Sequence, residues 1–199
     1  MKARIVQAKA TQEKSQRIVR NVWIALIRGI NVGGNNLLPM AQLKVLLGKL
    51  GASDVKTYIQ SGNAVFRHAG DDASTLALRI TRAVEKACGF APRVLLLTCE
   101  QLEQAVAANP FQQATADPAR VHVLFLAATP ERPDLAGLEK VKAASESFVL
   151  SGSYCYLHTP DGLAKSKLAE RAERLLGVAA TARNWRTVGK LLELAHAAD

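Results

Sequence analysis

One order of predicted strands and helices occurs twice along this chain of 199 residues. Each copy reads βαββαβα, with strands in short apolar runs and helices where apolar residues recur every three or four positions. The predicted strands are residues 22–27, 55–60, 64–68 and 93–97 in the first copy and 121–127, 148–150, 154–158 and 179–183 in the second. This order predicts an α+β fold with two tandem ferredoxin-like βαββαβα halves.

Matching residues support the repeat. A spacing of 90 positions pairs Ser61 with Ser151, Gly62 with Gly152, Phe66 with Tyr156, and His68 with His158. The equivalent places of the two histidines favour a structural or surface role over catalysis. The predicted halves are residues 21–112 and 119–199, and residues 163–176 of the second half are predicted to form a single helix.

The first strand of each half is apolar on both faces. Residues 22–27 and 121–126 show little alternation between apolar and polar side chains. A single ferredoxin-like sheet has one open face and should alternate, so something must cover the second face. Two covers are compatible with the sequence: the other half of the chain, or a second copy of the chain in a homodimer.

The charge of the chain is unevenly distributed. Residues 1–20 contain six basic side chains and one acidic side chain, and so carry more than half of the net charge of +9. We predict a basic flexible extension there, with a nucleic-acid-binding arm as the alternative. The three cysteines form no CxxC pair, and no apolar run is long enough to span a bilayer. A cytoplasmic protein with no membrane partner is therefore expected.

A glycine- and asparagine-rich segment, residues 28–36, follows the first strand and precedes the first helix of the chain. A strand, a loop that exposes backbone N–H groups and a helix N-terminus are together typical of an anion site. An arginine at the start of the loop could bind the anion through two N–H groups. The predicted ligand-binding residues are Arg28, Gly29, Asn31, Gly33, Gly34 and Asn35. The alternative is a structural loop, with Arg28 paired to a carboxylate elsewhere.

The turn between the second and third strands, Ser61-Gly62-Asn63, is predicted to extend this site. In a βαββ unit the first two strands run in the same direction, so the loop after the first and the turn after the second lie at the same end of the sheet. The Ser61 hydroxyl and the Asn63 amide would then add neutral contacts to the ligand. A plain hairpin turn also explains this sequence.

A third motif, Arg183-Asn184-Trp185, lies where the last predicted strand meets the last helix. Asn184 is a candidate N-cap, and arginines near a helix N-terminus oppose the helix dipole unless an anion or a carboxylate is bound there. Arg183 could therefore bind an anion, and Trp185 could stack on a base. A tryptophan that anchors the core is the alternative.

Motifs for metal, cofactor or proton-transfer chemistry are missing from the sequence. There is no HExxH motif, no His/Cys pair at ligand spacing and no EF-hand loop, so neither a metal site nor a cofactor is expected. Cys99 lies at a predicted helix start, which would stabilise a thiolate, but no histidine is its evident partner. The three motifs contain no carboxylate or histidine, and an acid or base for catalysis would have to come from another segment.

The stretches IALIRGINVGGNN, TYIQSGNAVF and TARNWRTVGKLLEL resemble the bacterial domain-of-unknown-function family 1697. The resemblance extends over about residues 22–195 and implies a tandem ferredoxin-like fold with no established activity. In the family the first motif lies almost at the start of the chain, so the resemblance gives no role to residues 1–20.

The sequence therefore predicts binding of an anionic ligand at the 28–36 loop, either a phosphorylated or nucleotide-like small molecule or a nucleic acid. Two alternatives stay open. The chain could be an enzyme that acts on an anionic substrate at the same site, or the motifs could serve only to hold the two halves together.

Overall fold

The computed structural model describes residues 21–198, and the predicted extension at 1–20 lies outside the described residues. The first half contains β1 (Asn21–Arg28), α1 (Met40–Lys49), β2 (Ser53–Tyr58), β3 (Asn63–His68), α2 (Ala73–Cys88), β4 (Arg93–Thr98) and α3 (Cys99–Ala107). The second half contains β5 (Val121–Leu126), α4 (Leu135–Val141), β6 (Ser147–Ser151), β7 (Tyr154–His158), α5 (Lys167–Leu176), β8 (Ala180–Asn184) and α6 (Trp185–His196).

Each half forms one four-stranded antiparallel sheet. The strand orders are β2-β3-β1-β4 and β6-β7-β5-β8, so the first strand of each half lies inside its sheet, between the third and fourth strands. Helices pack on the sheets, and the element order is the same in both halves. The predicted fold class, two tandem ferredoxin-like halves, is confirmed.

Strand β1 is apolar on both faces because it contributes to two separate cores. Trp23, Ala25 and Ile27 pack against α1 and α2 on the outer face of the first sheet. Val22, Ile24 and Leu26 point the other way, into a core shared by the two halves. The cover that the sequence required is therefore the other half of the chain.

The shared core also contains the two helices that end the halves. Leu102 and Ala105 of α3 and Leu191 and Ala195 of α6 are fully buried in it, together with residues of both sheets. Because α6 contacts strands of both sheets, the halves are joined by interlocking elements and not only by surface contact. Among residues 21–198, no helix combines the length and apolar character needed to cross a bilayer.

The spacing of 90 positions pairs residues that lie on opposite faces of their sheets. Phe66 packs with α1 and α2 on the outer face of the first sheet, whereas Tyr156 points into the shared core. His68 bonds the carbonyl oxygen of Leu50 at the end of α1, whereas His158 packs against Phe111. Side chains alternate along a strand, so a shift of one residue exchanges the faces. The two histidines therefore do not hold equivalent places.

The helix predicted at residues 163–176 is interrupted. A short 3₁₀ turn, Leu163–Lys165, precedes α5, and Ser166 lies between them as the N-cap of α5. The Ser166 hydroxyl accepts a hydrogen bond from the backbone N–H of Ala169 at 3.0 Å. A serine side chain that caps one helix start competes with continuous helical hydrogen bonding, which explains the break.

Candidate functional site

The β1–α1 loop is held together by its own asparagines. Asn31 donates through Nδ2 to the carbonyl oxygen of Leu38 and accepts from the Leu38 N–H through Oδ1, at 2.9 and 2.8 Å. Asn36 donates to the carbonyl oxygen of Gly29 at 2.9 Å. Both asparagines have positive φ, a conformation that asparagine tolerates better than most residues. Their side-chain amides therefore close the loop.

The exposed tip of this loop is a tight turn with glycine at its two central positions. Gly33 and Gly34 have φ values of +58° and +78°, and the N–H of Asn35 donates to the carbonyl oxygen of Val32 at 3.1 Å. Two successive positive φ angles are typical of a type I′ turn. The glycines thus serve the turn geometry, and the tip projects away from the core.

The β2–β3 turn lies beside this loop, as the topology predicts. Asn31 donates through its side-chain amide to the carbonyl oxygen of Gln60 at 2.8 Å. The backbone N–H of Ile27 donates to the carbonyl oxygen of Gly62, also at 2.8 Å. Asn63 is fully buried, and its side chain donates to the Ser61 hydroxyl at 2.9 Å. The predicted residues of the two segments are thus brought together, with the Asn63 amide turned inward.

Arg183 crosses from the second half to this turn. Its guanidinium donates through Nη2 to the carbonyl oxygens of Ile27 and Ser61, at 3.0 and 3.2 Å, and through Nε to Oδ1 of Asn63. Only 8% of Arg183 is exposed, and burial lowers the pKa of its guanidinium to about 10. These acceptors are neutral oxygens, so the charge of Arg183 is used to hold the first-half turn against β8.

Asn184 and Trp185 have roles in α6. Oδ1 of Asn184 accepts from the backbone N–H of Thr187 at 2.8 Å, which makes it the N-cap. The Trp185 side chain packs against the shared core between the halves. Asn184 thus acts as a helix cap and Trp185 as an anchor of the core, and these two roles account for their positions.

Arg28 makes a different contact with the second half. Its Nη1 donates to the carbonyl oxygen of Ala180 at 2.9 Å and to the carboxylate of Glu173 on α5. The other carboxylate oxygen of Glu173 accepts from Nη1 of Arg93 at 2.8 Å. Arg28 and Arg93 are directly opposite on the paired strands β1 and β4, so their side chains leave the same face of the sheet. Two guanidiniums therefore share one carboxylate.

An apolar cavity of about 380 Å³ lies next to this group of charges, between the two halves. Arg93 and Ala180, the two residues that link it to the charged group, belong to its lining. Phe125, Val94, Leu95 and Thr181 form other parts of the wall. Of the two arginines, Arg93 lines the cavity and Arg28 lies beside it on the paired strand. Their side chains are 67% and 42% exposed.

Arg93 and Glu173 were not identified from the sequence as site residues. Arg93 begins a strand and Glu173 lies in a helix rich in charge, so each resembles an ordinary surface residue. The contact between them joins residues 80 positions apart across the two halves. One signal was available for Arg93: the antiparallel pairing of β1 and β4 places the start of β4 beside Arg28.

Comparison with known proteins gives a family and a structural neighbour. The model of the family described as protein of unknown function, DUF1697, matches residues 20–156. The solved structure of the conserved bacterial protein SP0830 from Streptococcus pneumoniae is 25% identical, with a TM-score of 0.66. The match covers 89% of this chain and 99% of that one. No curated protein matches the chain.

Proposed function

Because the chain belongs to the DUF1697 family, whose function is unknown, we propose a function from the geometry of its site. The protein binds a small anionic molecule, such as a phosphorylated or nucleotide-like compound, between its two halves. Arg28 and Arg93 bind the anionic group, and the neighbouring cavity holds an apolar part of the ligand. The observation that carries this proposal is the pair of partly exposed arginines that share one carboxylate, one of which, Arg93, lines the cavity.

The charge balance supports an anion at this position. Two guanidiniums and one carboxylate leave a net charge of +1, and each guanidinium has five N–H donors. Arg28 uses Nη1 for its bonds to Glu173 and Ala180, so the remaining N–H groups of a partly exposed side chain can meet a phosphate. A phosphate could bind beside Glu173 or displace it, because guanidinium binds both groups through paired hydrogen bonds.

The cavity supports a small molecule in preference to a nucleic acid. Its volume of about 380 Å³ falls at the lower end of the range for small-ligand sites, and its wall is mostly apolar with a few polar groups. Trp185, the candidate for base stacking, packs against the shared core. In this proposal the 28–36 loop, for which anion binding was predicted, contributes Arg28 at its start, and its glycine-rich tip does not bind the ligand.

Glu173 keeps the enzyme alternative open, because it is a carboxylate that reaches Arg28 from another segment. In that alternative Glu173 would transfer a proton on an anionic substrate. As a binding protein, the chain would use Glu173 only to hold the two arginines until the ligand arrives. In either case we place the protein in the bacterial cytoplasm, where phosphorylated metabolites are found, and it needs no second copy to complete the site.

Thermal shift and calorimetric titrations with inorganic phosphate, sugar phosphates and nucleoside mono-, di- and triphosphates test the proposal. A ligand at 100 times its Kd should raise the melting temperature by about 5–10 °C. Arg28→Ala and Arg93→Ala should each weaken its binding by about 10- to 100-fold, through loss of a charge-assisted hydrogen bond. Arg82→Ala removes an exposed arginine from α2 and serves as the matched control.

Glu173→Gln separates the two roles of the carboxylate. If Glu173 only holds the arginines, the neutral glutamine amide of the variant should bind them less strongly than the carboxylate does. The anion should then bind more tightly to the variant than to the wild type. Loss of turnover of a bound phosphorylated compound in Glu173→Gln would support the enzyme instead. The absence of a shift with every probe, or equal weakening by Arg82→Ala, would overturn the binding proposal.

A further inference from the structure

Away from the cavity, α3 and α6 bring together three side chains of different chemistry. The Sγ atom of Cys99, a carboxylate oxygen of Glu103 and a ring nitrogen of His196 all lie within 4.8 Å of one another. Oε1 of Glu103 is 2.7 Å from Nε2 of His196 and 4.0 Å from Sγ of Cys99. A thiol, a carboxylate and an imidazole therefore converge at one point on the surface.

We propose that Cys99, Glu103 and His196 form a binding site for a divalent transition metal, with Zn²⁺ as the best match. Thiolate, imidazole and carboxylate are the three side-chain ligands that zinc takes, and zinc sites with three protein ligands keep a fourth position for water. One thiolate and one carboxylate balance the two charges of the ion. Calcium and magnesium prefer oxygen ligands, so the thiol and the imidazole disfavour them.

The secondary structure holds the three ligands in place. Cys99 and Glu103 are four residues apart on α3 and so lie on one face of the helix. The capping box between Thr98 and Gln101 fixes the start of that helix, immediately beside Cys99. His196 is the last residue of α6, a helix that packs against α3. The ligands are thus carried by two helices with fixed ends.

The packing beneath the site is dense, and Cys99 packs against it, whereas the other two ligands are half exposed. Leu102 and Ala105 of α3 and Leu191 and Ala195 of α6 meet in the shared core below it. The side chains of Glu103 and His196 are about half exposed, at 50% and 54%, so an ion can enter from solvent without movement of the helices. The site joins the first half to the second, and a bound ion would stabilise their contact.

No metal motif is recognisable in the sequence because His196 is 93 residues from Glu103. Only the packing of α3 on α6 joins them. The site is also separate from the cavity of the proposed function, since none of its three residues belongs to that lining. Its occupation and the binding of an anion can therefore be tested independently.

Titration of the purified protein with Co²⁺, followed by displacement with Zn²⁺, tests this proposal. Thiolate coordination should produce a near-ultraviolet charge-transfer band that saturates at one equivalent. Cys99→Ser should abolish the band, and Cys88→Ser, which changes another partly buried cysteine, should leave it unchanged. Removal of a residue that hydrogen-bonds a metal ligand typically weakens metal binding by roughly 10- to 100-fold. His196→Ala removes a ligand itself, so it should weaken Co²⁺ binding by more than this.

Alkylation of the thiols gives a second measurement that does not depend on the spectrum. Zn²⁺ should protect Cys99 from iodoacetamide, as measured by peptide mass spectrometry, while Cys88 in the same sample reacts as before. Far-ultraviolet circular dichroism without metal checks that His196→Ala is folded. A missing charge-transfer band, a band retained in Cys99→Ser, or equal protection of Cys88 would overturn the proposal.

Discussion

Both halves contain a Ser-Gly pair where the second strand meets the third, but the two turns differ in length and in surroundings. Ser61-Gly62 ends a four-residue turn between β2 and β3, whereas Ser151 is the last residue of β6 and Gly152 begins a two-residue turn. Gly62 and Gly152 both have positive φ, at +78° and +57°. A Cβ atom at Gly62 would lie 2.7 Å from the carbonyl oxygen of Ile27, whereas one at Gly152 would meet nothing within 4 Å. The first turn is packed into the interface between the halves, and the second is open to solvent.

This difference shows that a matched Ser-Gly pair can serve two different turns, of which only the first has a tertiary role. Arg183 of the second half holds the first turn through the carbonyl oxygens of Ile27 and Ser61. The second half makes neutral contacts as well: the hydroxyl groups of Tyr154 and Tyr156 donate to carbonyl oxygens of α3. Arg183, Tyr154 and Tyr156 of the second half therefore all donate to backbone oxygens of the first.

The largest effect is expected from loss of the charged contact. Arg183→Met removes the donors to Ile27, Ser61 and Asn63 and leaves buried acceptors without them, which should lower the free energy of unfolding by about 3–5 kcal/mol. Urea denaturation measures the change. Arg186→Met, which alters the exposed arginine on the first turn of α6, is the matched control and should change stability by less than about 0.5 kcal/mol. A near-neutral Arg183→Met would show that the packed turn does not depend on the arginine.

The next effect compares the two glycines directly. Gly62→Ala should destabilise the protein by about 2–4 kcal/mol, because strain at positive φ adds to a clash with the backbone of β1. Gly152→Ala retains only the strain and should cost about 1 kcal/mol. Chemical denaturation of both variants in parallel measures the difference, and equal losses would contradict the distinction between a packed and an open turn.

The smallest effect concerns the neutral contacts. Tyr156 is fully buried, and its hydroxyl donates to the carbonyl oxygen of Ala105 at 2.8 Å. Tyr156→Phe should therefore cost about 1–1.5 kcal/mol. The hydroxyl of Tyr154 bonds to Gln101 at a position open to solvent, where water can replace it, so Tyr154→Phe should cost less than about 0.5 kcal/mol. Thermal unfolding of the two variants ranks them, and the reverse order would argue against burial as the cause.

The fold could be predicted from the sequence because its signals are local and occur twice. Apolar runs and helical periodicity gave the order of elements, and the topology of a βαββ unit placed the 28–36 loop beside the Ser61–Asn63 turn. Residue matching gave the wrong equivalence for Phe66 and Tyr156, because a match between letters carries no information on which face of a strand a side chain occupies.

The contacts between the halves could not be predicted, because they depend on the relative orientation of the two sheets. Arg183 was recognised as unusual, yet only the packing shows that its partners are neutral oxygens of the first-half turn. Glu173 contacts Arg28 and Arg93 from a helix far along the chain, and no spacing links them. Contacts of this kind can be identified only when the relative positions of the two halves are known.

The position of α6 between the two sheets has a consequence for the order of events on the ribosome. Ile24 and Leu26 of the first sheet are buried in part by Val188 and Leu191 of α6, which follows every strand along the chain. While the second half is still being translated, the first sheet has its outer helices in place, but its inner face is covered only in part, by α3. Vectorial synthesis therefore cannot complete the first half as a separate unit, and the shared core cannot close until α6 has left the ribosome.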